Sequence, residues 1–187
     1  VTANPTDAPK AVFVSTFSDM PLAADFEVAL KGNEADFQTG VDALAKIAKV
    51  YLGVKPSASS ALTNAKNAEV TVFDGKCPAG NVGVQINHLA PVNKGEVVWT
   101  LGAEEVIFIG RLFNTGKVDL IRTIAVAGSE IKAPAYTKVL GGQQISSIVK
   151  GNVATDKKVR LIDGNPLTGL KVDENAFLSA HSTEITA

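Results

Sequence analysis

The residues with the most capacity for binding chemistry fall in one run, Gly75-Lys76-Cys77-Pro78-Ala79-Gly80-Asn81-Val82-Gly83. It follows an apolar, β-rich stretch and precedes a helical one, which is where an open α/β sheet receives its ligands. Its glycines permit close backbone approach and can leave N–H groups for an anion. Lys76, Pro78, Gly80 and Gly83 are therefore the candidate binding residues; the competing reading is a plain connection between two elements.

Other constellations carry less. The Gly-x-Gly-x-x-Gly fingerprint of dinucleotide sites is absent. Gly110-Arg111-Leu112-Phe113-Asn114-Thr115-Gly116-Lys117 imitates a phosphate loop, but it has five residues between the glycines and Val118 where Ser or Thr should hold magnesium. Gly116 reads better as a helix C-cap. His88 and His181 have no partner at metal-ligand spacing. His88 reads as a polar helix residue and His181 as part of a terminal strand. No Gly-x-Ser-x-Gly nucleophile elbow occurs. Cys77 has only Lys76 beside it to activate a thiol. Glu104 and Glu105 are adjacent, so on a helix they point about 100° apart and cannot share a proton. No residue is assigned a catalytic or metal-binding role.

Composition narrows the class. The chain has 187 residues, 18 basic against 19 acidic side chains, 45% hydrophobic residues and one cysteine. That balance suits a folded protein and argues against disorder. The lack of a basic excess argues against nucleic acid as the main partner. A lone cysteine makes neither an internal disulfide nor a cysteine metal cage. No run approaches the roughly 18 apolar residues of a spanning helix, so no direct membrane span is expected. Val1 at the start and strand-like residues at the end suggest a piece of a longer protein.

These residues need elements to position them. Ala11–Phe17 reads as a buried strand, Pro21–Leu30 as a helix, and Glu34–Val50 as a stronger helix with Phe37, Val41, Leu44 and Ala48 in one stripe. Strands follow at 50–54, 69–73 and 97–101, with helices at 57–64, 83–89 and 103–114. The alternation implies a parallel α/β sheet. After Lys117 the rhythm changes. A strand at 119–127 leads to a hairpin turn at Gly128-Ser129, short extended pieces at 130–133 and 136–140, a helix at 143–150, and strands at 157–162 and 183–186. That order suggests a small α+β unit, with the boundary between residues 116 and 117.

Several words of the sequence are recognisable together. Phe17-Ser18-Asp19-Met20-Pro21-Leu22-Ala23-Ala24-Asp25, Asp36–Leu44, Cys77–Gly83, Leu89-Ala90-Pro91-Val92 and Val106–Phe113 resemble, in order and spacing, the family of A subunits of the sodium-translocating NADH:quinone reductase. The flavoprotein subunit of complex I, together with the C subunit of the Rnf complex, looks like a more distant relative. The resemblance implies a Rossmann-like α/β domain over 1–116 and a β-grasp ligand-binding domain over 117–187, closed by a trailing strand. Ala125–Tyr136 would be the opening β-grasp hairpin. A biotinyl-lipoyl-like domain would precede this region and a further segment would follow it. Family members often carry His-x-His where this chain reads Gln85-Ile86-Asn87, which puts a histidine role there in doubt.

The function so implied is that of a subunit of a respiratory sodium pump, with a structural or quinone-handling role and no hydride transfer of its own. NADH, flavins, iron–sulfur centres and quinone would be used through other subunits, leaving no cofactor in this piece. Its partners would be those subunits, with quinone as a candidate ligand. They would hold it peripherally on the cytoplasmic face of the bacterial inner membrane. The alternatives are a flavin-binding NADH dehydrogenase module, using the loop at 75–83, and a soluble ligand-binding module using the β-grasp unit.

Overall fold

In a computed structural model, which describes residues 2–154 and 158–187, the elements run β1 (Ala11–Ser15), α1 (Phe26–Leu30), α2 (Glu34–Leu44), β2 (Lys49–Val54), α3 (Ser60–Thr63), β3 (Glu69–Val72), α4 (Val82–Leu89), β4 (Val98–Gly102), α5 (Ala103–Thr115), β5 (Ile121–Ala127), β6 (Ala135–Leu140), α6 (Ile145–Val149), β7 (Leu161–Asp163), β8 (Leu170–Val172) and β9 (Glu184–Thr186). They divide between two units. One takes the chain through Asp19 and Leu30–Asp119; the other takes Met20–Ala29 and Leu120–Ala187. The segment 20–29, far ahead of residue 117 in the chain, thus packs with the second unit.

The first unit is a four-stranded sheet in the order β3-β2-β1-β4. Every neighbouring pair is parallel, with Phe13 opposite both Tyr51 and Thr100. Central strands of such a sheet are buried on both faces and read as continuous apolar runs. Accordingly, Val12, Val14, Val50 and Leu52 are inaccessible from one face. On the other, Phe13 stacks on Tyr51 with ring centroids 4.8 Å apart, and Val82, Ile86 and Leu89 of α4 cover them.

Helix α2 ends at Leu44, not at Val50, because Lys49 and Val50 are claimed by β2 in register with Ala11 and Val12. Phe37, Val41 and Leu44 are buried as the stripe requires, with Gly40 beside them, whereas Ala48, the fourth residue of the expected stripe, lies beyond the helix and is half-buried. The helix expected over 21–30 is confined to Phe26–Leu30. Leu22, with φ 61, sits in the left-handed region, which a helix cannot contain. Helix α5 closes on Gly116 at φ 70, whose N–H reaches the Leu112 carbonyl.

The loop from α4 to β4 carries an acid-sensitive clamp. Glu96 accepts from the Asn93 N–H at 2.9 Å and from the Lys10 ammonium at 3.0 Å. The Asn93 backbone bond first, and Lys10 after it, hold the Glu96 carboxyl below the usual carboxylate range. A depressed carboxyl favours the folded state above its unfolded pKa, and that contribution is lost as the pH falls through the folded value. Glu96→Gln is expected to remove this part of the acid dependence, and NMR titration of the parent is expected to find Glu96 protonating below the other exposed glutamates. Titration alongside them would contradict the clamp.

The second unit is a five-stranded sheet in the order β6-β5-β9-β7-β8. β5 and β9 run parallel at its centre, and the outer pairs are antiparallel. A hairpin, a helix, and a last strand inserted beside the first make up the β-grasp arrangement. β9 is not a trailing strand: Ile185 is inaccessible and packs with Ile124, Val126, Val139, Ile145 and Val149.

The two-residue hairpin at Gly128-Ser129 does not form. β5 pairs instead with Ala135–Leu140, and of residues 130–133 only Ile131 makes a bridge, to Val153. Glu130 N–H bonds to the Ala187 carbonyl and Lys132 N–H to the Asn152 carbonyl, so the backbone groups of this loop are drawn to other parts of the unit. Of the strand expected over 157–162, Leu161 and Ile162 belong to β7, and Lys157 lies outside the described residues. Helix α6 spans only the centre of the range expected at 143–150.

Candidate functional site

The strand order reverses after β3. β2 and β3 are added on one side of β1, and β4 on the other. The crevice beyond the carboxyl ends of β1 and β4 is therefore the topological switch point, the usual ligand position in an open α/β sheet. The loop 75–83 ends beside the β1 exit, and the chain fastens it there.

Gly80 donates its N–H to Asp19 Oδ2 at 2.6 Å and accepts from Ser15 Oγ at 3.0 Å. Ser15 Oγ also lies 3.2 Å from the Phe17 carbonyl. Gln85, only 1% exposed, donates from Nε2 to Ser15 Oγ at 3.0 Å and to the Ala79 carbonyl at 3.2 Å. A side chain at Gly80 would press on the Phe17 carbonyl and on Asp19, with a Cβ 3.0 Å from the former. The close approach to the β1 exit favours glycine, since a side chain would need the 17–19 segment to give by a few tenths of an ångström, and the Gly80 N–H already serves Asp19.

The other candidates separate by exposure. Gly83 N–H bonds to Asn81 Oδ1 at 2.8 Å, making Asn81 the N-cap of α4, the placement for which short polar side chains are favoured. Lys76, Cys77 and Pro78 are exposed, and the Cys77–Pro78 peptide is cis. The loop is thus anchored from below at Gly80 and capped at Gly83, and it presents Lys76 and Pro78 outward. The sequence reading missed Asp19, Ser15 and Gln85. Gln85 was legible in principle: it is a polar residue among Val82, Val84, Ile86 and Leu89, and it is the buried one of the helix.

The switch point carries acid where a phosphate would need a donor. Helix α5 starts at Ala103, and Glu104 in its first turn is 6% exposed. Glu105 reaches back over Gly102, the residue before the helix. The two carboxylates lie near the partial positive charge of this helix end, a favourable place for them and one from which a phosphate would be repelled. Gly110 and Gly116 do not frame a phosphate loop: Gly110 lies inside α5 and Gly116 ends it. Arg111 joins Asn33 at 3.0 Å and lies 3.9 Å from Asp36 and 3.7 Å from Asp119.

His88 is exposed on α4, with Nδ1 2.9 Å from the Val84 carbonyl and its ring edge-on to Phe73. His181 lies in a turn ahead of β9, not in the strand expected there. Among the described residues, no group of three or more His, Cys, Asp or Glu side chains is placed to hold a metal ion, and no helix is long and apolar enough to cross a membrane.

A parallel α/β sheet with its loop held at the switch point, and a β-grasp unit beside it in the chain, define the class: a two-unit α/β and β-grasp protein. Comparison with known proteins gives the family. Residues 1–118 match the family model described as the NqrA second alpha/beta domain, and residues 123–174 match the NQRA C-terminal domain. The chain belongs to the NqrA family.

Among curated relatives, the A subunit of the Na(+)-translocating NADH-quinone reductase of Hahella chejuensis is 34% identical over 181 residues, covering 95% of this chain and 40% of the relative. The protein of the same name from Serratia proteamaculans is 35% identical, with 95% and 40% covered. That from Neisseria meningitidis serogroup A is 36% identical, with 86% and 36% covered. The chain thus spans about 40% of the length of the first two.

Proposed function

We propose that the protein works as a subunit of an assembly that couples NADH oxidation and quinone reduction to sodium export. The observation that carries this is the continuous match of about one third identity, across both units, to relatives named as the A subunit of such a reductase. In this reading NADH, flavin, iron–sulfur and quinone chemistry is carried by other subunits. This chain supports assembly or quinone handling, held peripherally at the cytoplasmic face of the inner membrane by its partners.

Within that role the loop at 76–83 is a docking element. Gly80 and Gly83 set its shape, while Lys76 and Pro78 form its outward surface. In favour of this, the loop is fixed to the β1 exit by Asp19, Ser15 and Gln85 while Lys76 stays exposed. An interface charge reversal brings like charges together and costs several kcal/mol. Lys76→Glu is therefore expected to weaken assembly with the remaining subunits by about tenfold or more and to leave the melting temperature of the chain unchanged.

The test is co-purification of the whole complex with NADH-driven quinone reduction and sodium uptake, comparing the parent with Lys76→Glu, Pro78→Ala, Gly80→Val and Gly83→Val. Normal assembly and turnover in Lys76→Glu and Pro78→Ala would discard the docking loop. Failure of the parent to join the complex would discard the subunit reading itself. Saturable micromolar binding of flavin mononucleotide to the chain, lost on changing Gly80 or Gly83, would favour a flavoprotein module instead.

A further inference from the structure

A second site is built into the β-grasp unit, on the sheet face away from α6. The segment 20–29 reaches this face: the Asp25 N–H bonds to the Tyr136 hydroxyl at 2.9 Å, and Tyr136 stands beside Ala125 in the register. Between this segment and the ends of β5 and β9 lies a cavity of about 470 Å3, within the usual range for small-molecule sites.

The cavity lining includes the apolar Leu22, Ile162 and Pro166. It also carries Lys158 and Arg160, with Glu130 as its acidic side chain. Two side-chain cations therefore stand against one side-chain carboxylate. Among the described residues, no carboxylate pairs with Lys158 or Arg160. The hydroxyl of Thr186, another lining residue, is already engaged with the Gly164 carbonyl at 2.9 Å.

Leu22 supplies a second, independent observation. It is 48% exposed and held at φ 61. A branched apolar side chain rarely adopts this conformation, and such outliers gather at ligand clamps. A guanidinium and an ammonium with no carboxylate partner among the described residues, in one lining with an exposed leucine, match a ligand with an acidic head and a short apolar body. A carboxylate or phosphate accepts two parallel N–H bonds from arginine, and the body would cover Leu22 and Pro166.

We propose that this cavity binds a small organic anion, a carboxylate or phosphate monoester, with its acid on Arg160 and Lys158 and its apolar part on Leu22, Ile162 and Pro166.

The test uses the chain amidated at Ala187, so that no terminal charge competes at the cavity. Phenyl phosphate, 3-phenylpropionate, inorganic phosphate and benzyl alcohol are titrated in turn, following the NMR amide signals of Gly128, Ser129 and Thr186. Phenyl phosphate or 3-phenylpropionate is expected to saturate these shifts, and the better of the two identifies the head group. Inorganic phosphate and benzyl alcohol each bind more weakly.

Arg160→Gln is expected to weaken binding about tenfold, the loss of a charge-assisted bond. Leu22→Gly keeps the backbone conformation accessible and is expected to remove the preference for phenyl phosphate over inorganic phosphate. Lys138→Gln, an exposed charge towards the other end of β5, leaves binding as it is. Absence of saturable shifts at these amides with both organic anions would overturn the proposal, as would binding that falls equally in Arg160→Gln and Lys138→Gln.

Discussion

Replacing Gly110 with alanine is expected to destabilise the α/β unit by about 3 kcal/mol, a drop of roughly 10 °C in its melting temperature. Gly110 lies inside α5, where the helix has no conformational need for glycine. Its reason is the neighbour: a Cβ there would overlap the Asp36 carbonyl oxygen of α2, and one at Gly40 of α2 would overlap the Val106 carbonyl oxygen of α5. The two helices cross backbone to backbone through this reciprocal pair.

A flexible side chain can yield to an added methyl, but a carbonyl within a helix cannot move without shifting the helix. The strain therefore exceeds the helix propensity gained, which for glycine to alanine is about 1 kcal/mol in the stabilising direction. The polar clamp around the crossing would feel the same shift. Asn114 donates to Asp36 Oδ1 at 2.7 Å, and Arg111 bonds to Asn33 beside it. Denaturant unfolding of Gly110→Ala and Gly40→Ala decides the matter. Stability equal to or above the parent in both would show that the helices can separate at little cost.

Ending the chain after Ser182 is expected to unfold the β-grasp unit altogether. Only a few residues leave, but they include β9, the strand between β5 and β7. Its loss removes the parallel pairing at Ala125–Ala127, the antiparallel pairing at Ile162 and Asp163, and the inaccessible Ile185. Ile185 alone, cut to alanine, is worth about 2–5 kcal/mol at a fully buried site, and the severed sheet would expose two new edges. Hydrogen exchange is the direct readout. Amides of β5 and β7 that are protected in the parent should exchange at unfolded rates in the shortened chain. Retained protection in β5 would mean that the β5–β6 hairpin and α6 hold together without the central strand.

These two cases divide what could be read along the chain from what could not. The α/β rhythm was legible because parallel strands buried on both faces are continuous apolar runs, and amphipathic helices repeat at their own period. Val12–Val14 and the Phe37, Val41, Leu44 stripe are local patterns, and the fold preserves them. The family was legible for a similar reason, since words such as Cys77–Gly83 and Val106–Phe113 keep their order and spacing.

Tertiary structure decided the rest. Lys49 and Val50 could continue a helix, and pairing with Ala11 and Val12 took them into a strand. Gly128-Ser129 has the composition of a tight turn, but the hydrogen bonds of the adjoining residues go to Ala187 and Asn152. Glu184–Thr186 looked like a tail until parallel pairing placed it at the centre of a sheet.

The candidate site divides in the same way. Residue types at 76–83 marked the loop, because glycine and proline punctuate a chain locally. Asp19, Ser15 and Gln85 were out of reach, since each acts through a partner distant in sequence: Asp19 and Ser15 through Gly80, and Gln85 through Ser15. The sequence by itself determined the element types, the two-part organisation and the family, which depend on near-neighbour periodicity and on words kept in order. Only the tertiary structure decided which strand is central, which glycines lie against a backbone, and which unit holds residues 20–29. Each of those is a pairing between distant parts of the chain, and it leaves no periodic trace.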